Sequence, residues 1–266
     1  MSLLLPASTA ARATTSKVTL EAFLPLTRRT SSYQRRPFSR SSPPRSPQDD
    51  NDTSTKIRTL MRKSAQPVAL VTTFLPSSPG KTNHIHAATL SSFTSISLDP
   101  DLVCFSIKTP SKLADALSSH VSSRGVQAVE EEEGWDFVIN VLSAKQAGLA
   151  AAYAVPGTPP LVYPSTEGGA EEGHPLRQAG LVGGGGGEVP LVRGSIGALA
   201  CQVVDSVELD RYSSGQVTTE GDTQRSRLYI ARVLEVHFAE KGNKNDLKPL
   251  IYHRQKFVST TNHPLI

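Results

Sequence analysis

Two long runs, Gly197 to Leu209 and Leu228 to Phe238, alternate in side-chain character with a period of two. Runs of that length are accommodated as antiparallel members of one sheet, each satisfying the other's backbone groups. Shorter runs extend the same sheet: Val68 to Thr73, about His84 to Leu90, Leu102 to Ile107 and Trp135 to Leu142. Pro249 to Arg254 reads as a short strand or edge segment, and Pro76 to Gly80 as a turn. Helical spacing is confined to three places. Ile57, Leu60 and Met61 share a face from Thr55 until Pro67 ends the pattern; a second helix runs from Pro110-Ser111 through Leu117, with Thr109 or Ser111 as its cap; a third runs from Ala144 to about Tyr153 behind Ser143. Six or so strands with few, short helices predict a mainly β chain, a Greek-key β-barrel rather than a wound α/β sheet. No Gly-x-Gly-x-x-Gly follows a strand, and Gly183 to Gly187 has no strand feeding it and no helix leaving it.

The folded domain is expected over residues 55–258. Residues 1–48 differ in composition: Arg12, Lys17, Arg28, Arg29, Arg35, Arg36, Arg40 and Arg45 stand against a single acid, Glu21, behind an apolar Leu3-Leu4-Leu5. An acid-poor leader rich in Arg, Ser and Thr is the composition of an organellar transit peptide, so a mitochondrial matrix location is expected. Arg35-Arg36-Pro37-Phe38-Ser39 resembles its processing site. The net charge of +4 resides in that leader and the remaining body is slightly acidic, which argues against a nucleic-acid partner. No apolar run is long enough to span a bilayer. The acid run Glu130 to Glu133, in an insert near 124–134, and the stretch 156–190 lack apolar periodicity and are expected to be flexible inserts. Cys104 and Cys201 sit in apolar runs with no short spacing, which reads as two small buried hydrophobes rather than a disulfide or zinc framework.

Between Thr89 and Ser97, six of nine residues carry hydroxyls: Thr89, Ser91, Ser92, Thr94, Ser95 and Ser97. Phe93, Ile96 and Leu98 are too apolar for a solvated loop, and the hydroxyls are too polar for a core, so something polar sits against this segment. Where a strand turns into an irregular segment, successive backbone N–H groups converge into an anion nest. Small Ser and Thr side chains let a phosphate approach those amides and add O–H donors of their own. A second donor set follows the third strand in Ser106, Lys108, Thr109, Ser111 and Lys112. Lys108 or Lys112 supplies countercharge, and a helix starting at Ser111 directs its dipole to the same place. Apolar strand residues between the two sets form a floor for a flat ring.

At these residues the chain resembles the flavin reductase-like family, the FMN-binding split barrel. The family's small residue followed by T-x-S-S-F-x-S-x-S-L-x-P-x-L-V stands here as the run from Ala88 through Thr89-Leu90-Ser91-Ser92-Phe93 to Leu102-Val103. Pro67 to Thr73, Phe137 to Ser143, Pro190 to Cys201 and Pro249 to Tyr252 also match, in the family's order, so that the resemblance covers roughly Leu60 to Phe257. It implies an organelle-targeted, fungal-type member with the split-barrel fold, a homodimer with flavin near the subunit interface. Thr89, Leu90, Ser91 and Ser92 then hold the phosphate and ribityl chain, largely through backbone amides, and the Ser106 to Lys112 loop closes from the other side. Tyr252 and Arg254 either reach the flavin rim or finish the dimer interface. The resident flavin is FMN, with FAD as an alternative, and the reductant is NADH or NADPH. The implied reaction is hydride transfer to flavin, with a partner monooxygenase as a further recipient. It needs placement rather than an acid, base or nucleophile, so no catalytic side chain is assigned.

Many members place Gly-Asp-His before the strand that here begins at Leu228; this chain reads Gly221-Asp222-Thr223, without the His of the nicotinamide side. Arg225 and Arg227 follow, either to meet a nucleotide phosphate or as solvated loop charges. The alternative function is accordingly an FMN-binding flavoprotein or carrier that does not turn over nicotinamide. His84 and His86 share one face of a strand but have no third ligand nearby, and no metal is expected. Trp135 reads as core.

Overall fold

The computed structural model describes residues 53–76, 83–124, 134–163, 173–184, 188–212, 225–239 and 247–260. The leader, the turn over 77–80, Glu130 to Glu133 and Gly185 to Gly187 lie outside the described residues. Helix α1 (Thr53–Met61) precedes strands β1 (Gln66–Pro67), β2 (Ala69–Phe74), β3 (Asn83–Leu90), β4 (Thr94–Leu98) and β5 (Asp101–Thr109), and helix α2 (Lys112–Arg124) follows. Strand β6 (Phe137–Val141) leads through a 3-10 turn at Ala144–Gln146 into α3 (Ala147–Ala154). Next come β7 (Leu161–Tyr163), α4 (Pro175–Ala179), β8 (Leu181–Val182), β9 (Leu191–Val192), β10 (Gly197–Glu208), β11 (Arg225–Phe238), β12 (Leu250–His253) and β13 (Lys256–Ser259).

Eight strands pair in the order β4-β5-β11-β10-β6-β2-β3-β7, every pairing antiparallel. The two long alternating runs are the neighbours β10 and β11. β3 and β4 are consecutive in the chain yet stand six strand intervals apart in that order, joined only by Ser91, Ser92 and Phe93. Six intervals of a flat sheet measure about 29 Å. The chain from Leu90 to Thr94 reaches at most about 14 Å. The sheet therefore curls until its two ends nearly meet, which is the split-barrel arrangement. No ladder bridges β3 to β4 or β5, so a seam remains.

Helix α2 fills the inside of that curl. Its Leu113, Ala114 and Leu117 join Val71 of β2, Phe105 of β5, Phe137 and Ile139 of β6, and Tyr229 of β11 in one buried cluster. The Tyr229 hydroxyl donates to the Ala114 carbonyl at 2.9 Å and lies 3.1 Å from Ser118 Oγ, so the one polar atom of this core ring is satisfied by the helix it holds. The opposite face of β2 and β3 carries a second cluster, where Leu70, Ile85 and Ala87 meet Leu149, Ala150 and Tyr153 of α3 and Leu176 of α4. Burial on both faces explains why Val68 to Thr73 is an unbroken rather than alternating run. A small sheet of β1, β12 and β13 sits beside β6: Val68 N–H donates to Leu250 O at 3.1 Å, and Leu250 N–H to Leu142 O at 3.0 Å.

Four expectations need correction. The hydroxyl-rich segment is irregular only over 91–93; Thr94–Leu98 is a strand on β5, because alternating small side chains suit an exposed sheet end. The stretch 156–190 contains β7, α4 and β8, elements of two to five residues and too short to show periodicity. The second helix continues past Leu117 to Arg124. Cys201 is buried, but Cys104 is only half-buried, since it faces outward from β5. Trp135 packs on Val138, Val189 and Ala198 and donates to Val189 O at 3.0 Å, as a core residue should.

Because α2 closes the inside of the curled sheet, truncating it should weaken the whole domain. Leu117→Ala is expected to cost about 2–5 kcal/mol. Urea unfolding checks this, and Leu234→Ala, at an exposed position, is the control with little change.

Candidate functional site

The ladders leave a gap at the seam. Pairing on β3 ends at Leu90 and pairing on β4 begins at Thr94, so Ser91, Ser92 and Phe93 have no strand partner. β7 covers only Asn83 to Ile85 of the outer edge of β3, which leaves the edge from His86 to Leu90 facing the seam. This unpaired backbone lies beside the hydroxyls singled out above, the setting in which an anion nest forms.

The hydroxyls are not equivalent. Thr89 donates its only O–H proton to Ala150 O at 2.8 Å, tying β3 to α3. Ser91 donates to Gln66 Oε1 at 2.9 Å. A hydroxyl has one proton to give, so neither side chain is the free donor that the sequence suggested, and both act at the seam through the backbone they hold. The Leu90 side chain is buried in the inner cluster and likewise contributes only its backbone. Ser92 and Ser106 are different. Ser92 Oγ donates to Ser106 O at 3.3 Å and Ser106 Oγ to Ser92 Oγ at 3.5 Å, long contacts that a stronger acceptor would displace. Ser111 caps α2, its Oγ accepting Ala114 N–H at 3.1 Å, which leaves its own proton to donate outward. The structure thus brings Ser92 together with Ser106, and places Ser111 and Lys112 at the positive end of a thirteen-residue helix.

Lys108 and Thr109 end β5, opposite Ser226 and Arg225 of β11. Tyr252 pairs with Gln66, so its strand reaches the bend through the Gln66–Ser91 bond. Arg254 sits exposed in the β12–β13 turn at φ 48°, its N–H bonded to Arg62 O at 2.8 Å. It makes no hydrogen bond to the hydroxyl group of residues among those described. Arg225 pairs with Asp210 at 3.6 Å, and Arg227 with Glu208 and Ser118, so both arginines are tied to the protein's own groups rather than simply solvated. Thr223 lies outside the described residues.

His86 faces the same seam from β3. Burial first, and then the nearby Lys112 charge, hold its imidazole below the usual histidine range. Its Nδ1 is buried with no hydrogen-bond partner. In the sequence His86 reads either as half of a metal pair or, by the family resemblance, as a residue close to the flavin; among the described residues no group of three or more His, Cys, Asp or Glu is placed to hold a metal. Gln66 was missed altogether; its partner Ser91 lies 25 residues away in the chain, and no local spacing pairs them. Burial pushes the Cys201 thiol up, which suits an inert core group. Two cavities lie elsewhere, one between β9 and the end of β11 and one beside α3 and α4. The hydroxyl cluster is an open surface, with Ser92, Thr94, Ser95 and Ile96 all exposed.

An open surface of backbone N–H groups, displaceable serines and two lysines fits a phosphorylated ligand with a flat apolar portion. The sequence profile of the flavin reductase like domain matches residues 61–261. An NADH-dependent FMN reductase, AsuE2 of Streptomyces nodosus subsp. asukaensis, is 28% identical over 205 residues, covering 77% of this chain and 84% of that protein. Among solved structures, BorF, the flavin reductase component of a bacterial two-component tryptophan halogenase, aligns with a TM-score of 0.52 at 21% identity over 79% of this chain and 99% of its own. The Streptomyces globisporus NADH:FAD oxidoreductase SgcE6, solved with NAD and FAD fragments, aligns with a TM-score of 0.52 at 16% identity over 79% and 94%. These structural likenesses show a common fold.

A lowered His86 pKa carries a pH signature. In the unfolded chain the imidazole titrates near 6.5. Below that pH the unfolded state binds a proton that folded His86 resists, so stability falls as pH drops through 6.5. Urea midpoints measured at pH 7.5 and 5.5 should drop further for the parent than for His86→Gln.

Proposed function

Since the chain belongs to the flavin reductase like domain family, we propose that it is an NAD(P)H-dependent oxidoreductase that passes hydride from a reduced nicotinamide to flavin, FMN in the first place and FAD as the alternative. The carrying observation is the three-residue crossing Ser91–Phe93, whose backbone lacks strand partners and whose Ser92 meets Ser106 of β5 in long, displaceable contacts. The AsuE2 reductase supports the NADH and FMN assignment.

In this reading the backbone of Thr89, Leu90, Ser91 and Ser92 lines the phosphate and ribityl end. Ser92 and Ser106 exchange their long mutual contacts for bonds to the ligand, and the free proton of Ser111 adds a third donor. Lys112 and the α2 N-terminus balance the phosphate charge, with Lys108 and Thr109 closing the rim. Tyr252 and Arg254 flank the ring end. The bound flavin supplies the hydride-accepting chemistry. The chain's own part is placement, holding donor and acceptor roughly 3–3.5 Å apart. His86, kept neutral by burial and Lys112, adds no charge that would compete with Lys112 for the anion.

A ring lying on so exposed a surface needs cover, and a second copy of the chain is the cover we propose, giving a homodimer. Exposed Ile96 and Leu98 beside the site support that arrangement. Reduced flavin released from such a shallow site can serve a partner monooxygenase. Residues 1–48 are proposed to be a mitochondrial presequence ahead of a domain over residues 55–258, the composition of the leader being the support.

Purified protein should quench FMN fluorescence on titration and oxidise NADH or NADPH only when flavin is added. Retained flavin without turnover would instead identify a carrier. Lys112→Ala, which removes the countercharge, should raise KM for FMN about 10–100-fold with kcat little changed, the equivalent of about 1.5–3 kcal/mol for a hydrogen bond to a charged group. A fluorescent protein fused behind residues 1–48 should localise to mitochondria, and diffuse fluorescence would remove the targeting assignment.

A further inference from the structure

Gln66 opens β1 and pairs with Tyr252 of β12, so its backbone belongs to the small sheet rather than to the curled one. Its side chain nevertheless crosses to the bend, where Oε1 accepts the Ser91 hydroxyl proton at 2.9 Å. An amide held by its oxygen has its orientation set, because the NH₂ group is fixed on the other branch of the same plane. No protein acceptor takes the Nε2 protons among the described residues, and the side chain is half-buried rather than lost in the core. Two oriented donors thus stand beside the crossing, whose residues have no strand partner.

We propose that Gln66 is a binding residue for the phosphate end of the flavin, its Nε2 donating to a phosphate oxygen, with Ser91 as the positioning residue that orients the amide. This deepens the reading of the site as a flavin pocket and rests on it. It also accounts for Ser91. A serine whose proton is committed to Gln66 cannot donate to an anion, but it can turn a longer side chain so that two better-placed protons do so. The small sheet gains a role as well: the hairpin that carries Tyr252 and Arg254 becomes the support from which the donor reaches the bend.

The discriminating variant is Gln66→Glu. A carboxylate accepts the Ser91 proton as well as the amide does, so the structural bond survives, while both donors are lost and a negative charge faces the phosphate. Full-length protein is titrated with FMN and with riboflavin, which lacks the phosphate, reading fluorescence quenching at low and high salt. The parent is expected to bind FMN. Gln66→Glu should weaken FMN at least tenfold and riboflavin less than twofold, with the FMN loss shrinking as salt screens the repulsion. In turnover, its KM for FMN should rise with kcat retained. Gln66→Met, uncharged and similar in length, should weaken FMN about threefold or more. FMN binding within twofold of the parent in both variants overturns the assignment. Equal losses for FMN and riboflavin also overturn it, by showing a role in folding or at the ring. A parent that quenches neither flavin removes the pocket itself, and Gln66's role with it.

Discussion

The domain depends on a length that is too short. Three residues join strands that would stand about 29 Å apart in a flat sheet, and no choice of backbone angles stretches them that far. Curling the sheet is the one solution, and everything at the site follows from it. The curl makes an inside, which α2 fills with Leu113 and Leu117. Filling the inside brings the α2 N-terminus to the seam, and the crossing itself stays unpaired because neither flanking ladder can extend through it. The unpaired crossing with its small polar side chains, and the helix start farther along the same seam beside His86, are then consequences of topology. A sheet of the same strands with a long β3–β4 loop would need none of this.

What the sequence made legible was the class of each long element. Alternation marked β10 and β11, an unbroken apolar run marked β2, and the short third helix was placed within a few residues. The misses share a physical cause. β7, α4 and β8 are too short for two full periods of their own pattern, so the stretch reads as excursion. β4 was hidden by composition, since serine and threonine serve equally in a solvated turn and on an exposed strand. At the crossing between β3 and β4, the residue types marked a polar segment while the individual hydroxyls of Thr89 and Ser91 were misread. Thr89 and Ser91 look like donors until their acceptors are known, and those acceptors, Ala150 O and Gln66 Oε1, lie 61 and 25 residues away. Proton counting on a hydroxyl is a tertiary question.

The charges show the same division. Arg225 and Arg227, open between two readings in the sequence, are held by Asp210 and by Glu208 with Ser118. The exposed Arg225 pair contributes little to stability. Its effect is electrostatic: two guanidinium groups of β11 are paired with carboxylates of the protein itself. Burial and the Lys112 charge hold the His86 imidazole below the usual histidine range on the facing strand.

The small β1-β12-β13 sheet completes the argument. It contributes nothing to the inner cluster, yet backbone bonds tie it to the curled sheet: Val68 N–H to Leu250 O, Leu250 N–H to Leu142 O and Leu142 N–H to Val68 O close a triangle. Leu142 precedes the turn into α3, and α3 in turn holds Thr89 through Ala150 O. The bend is therefore gripped from two sides, by α3 at Thr89 and by β1 at Ser91, and both grips trace back to the same triangle. Disturbing residues 249–259 at the end of the described chain reaches the seam without touching it, through Pro249 and Leu250 on one path and Tyr252 on the other. The crossing can stay free of ladder bonds and still be rigid because its two flanking side chains are anchored elsewhere, and rigidity without internal pairing is the condition for a backbone that offers its N–H groups to a ligand.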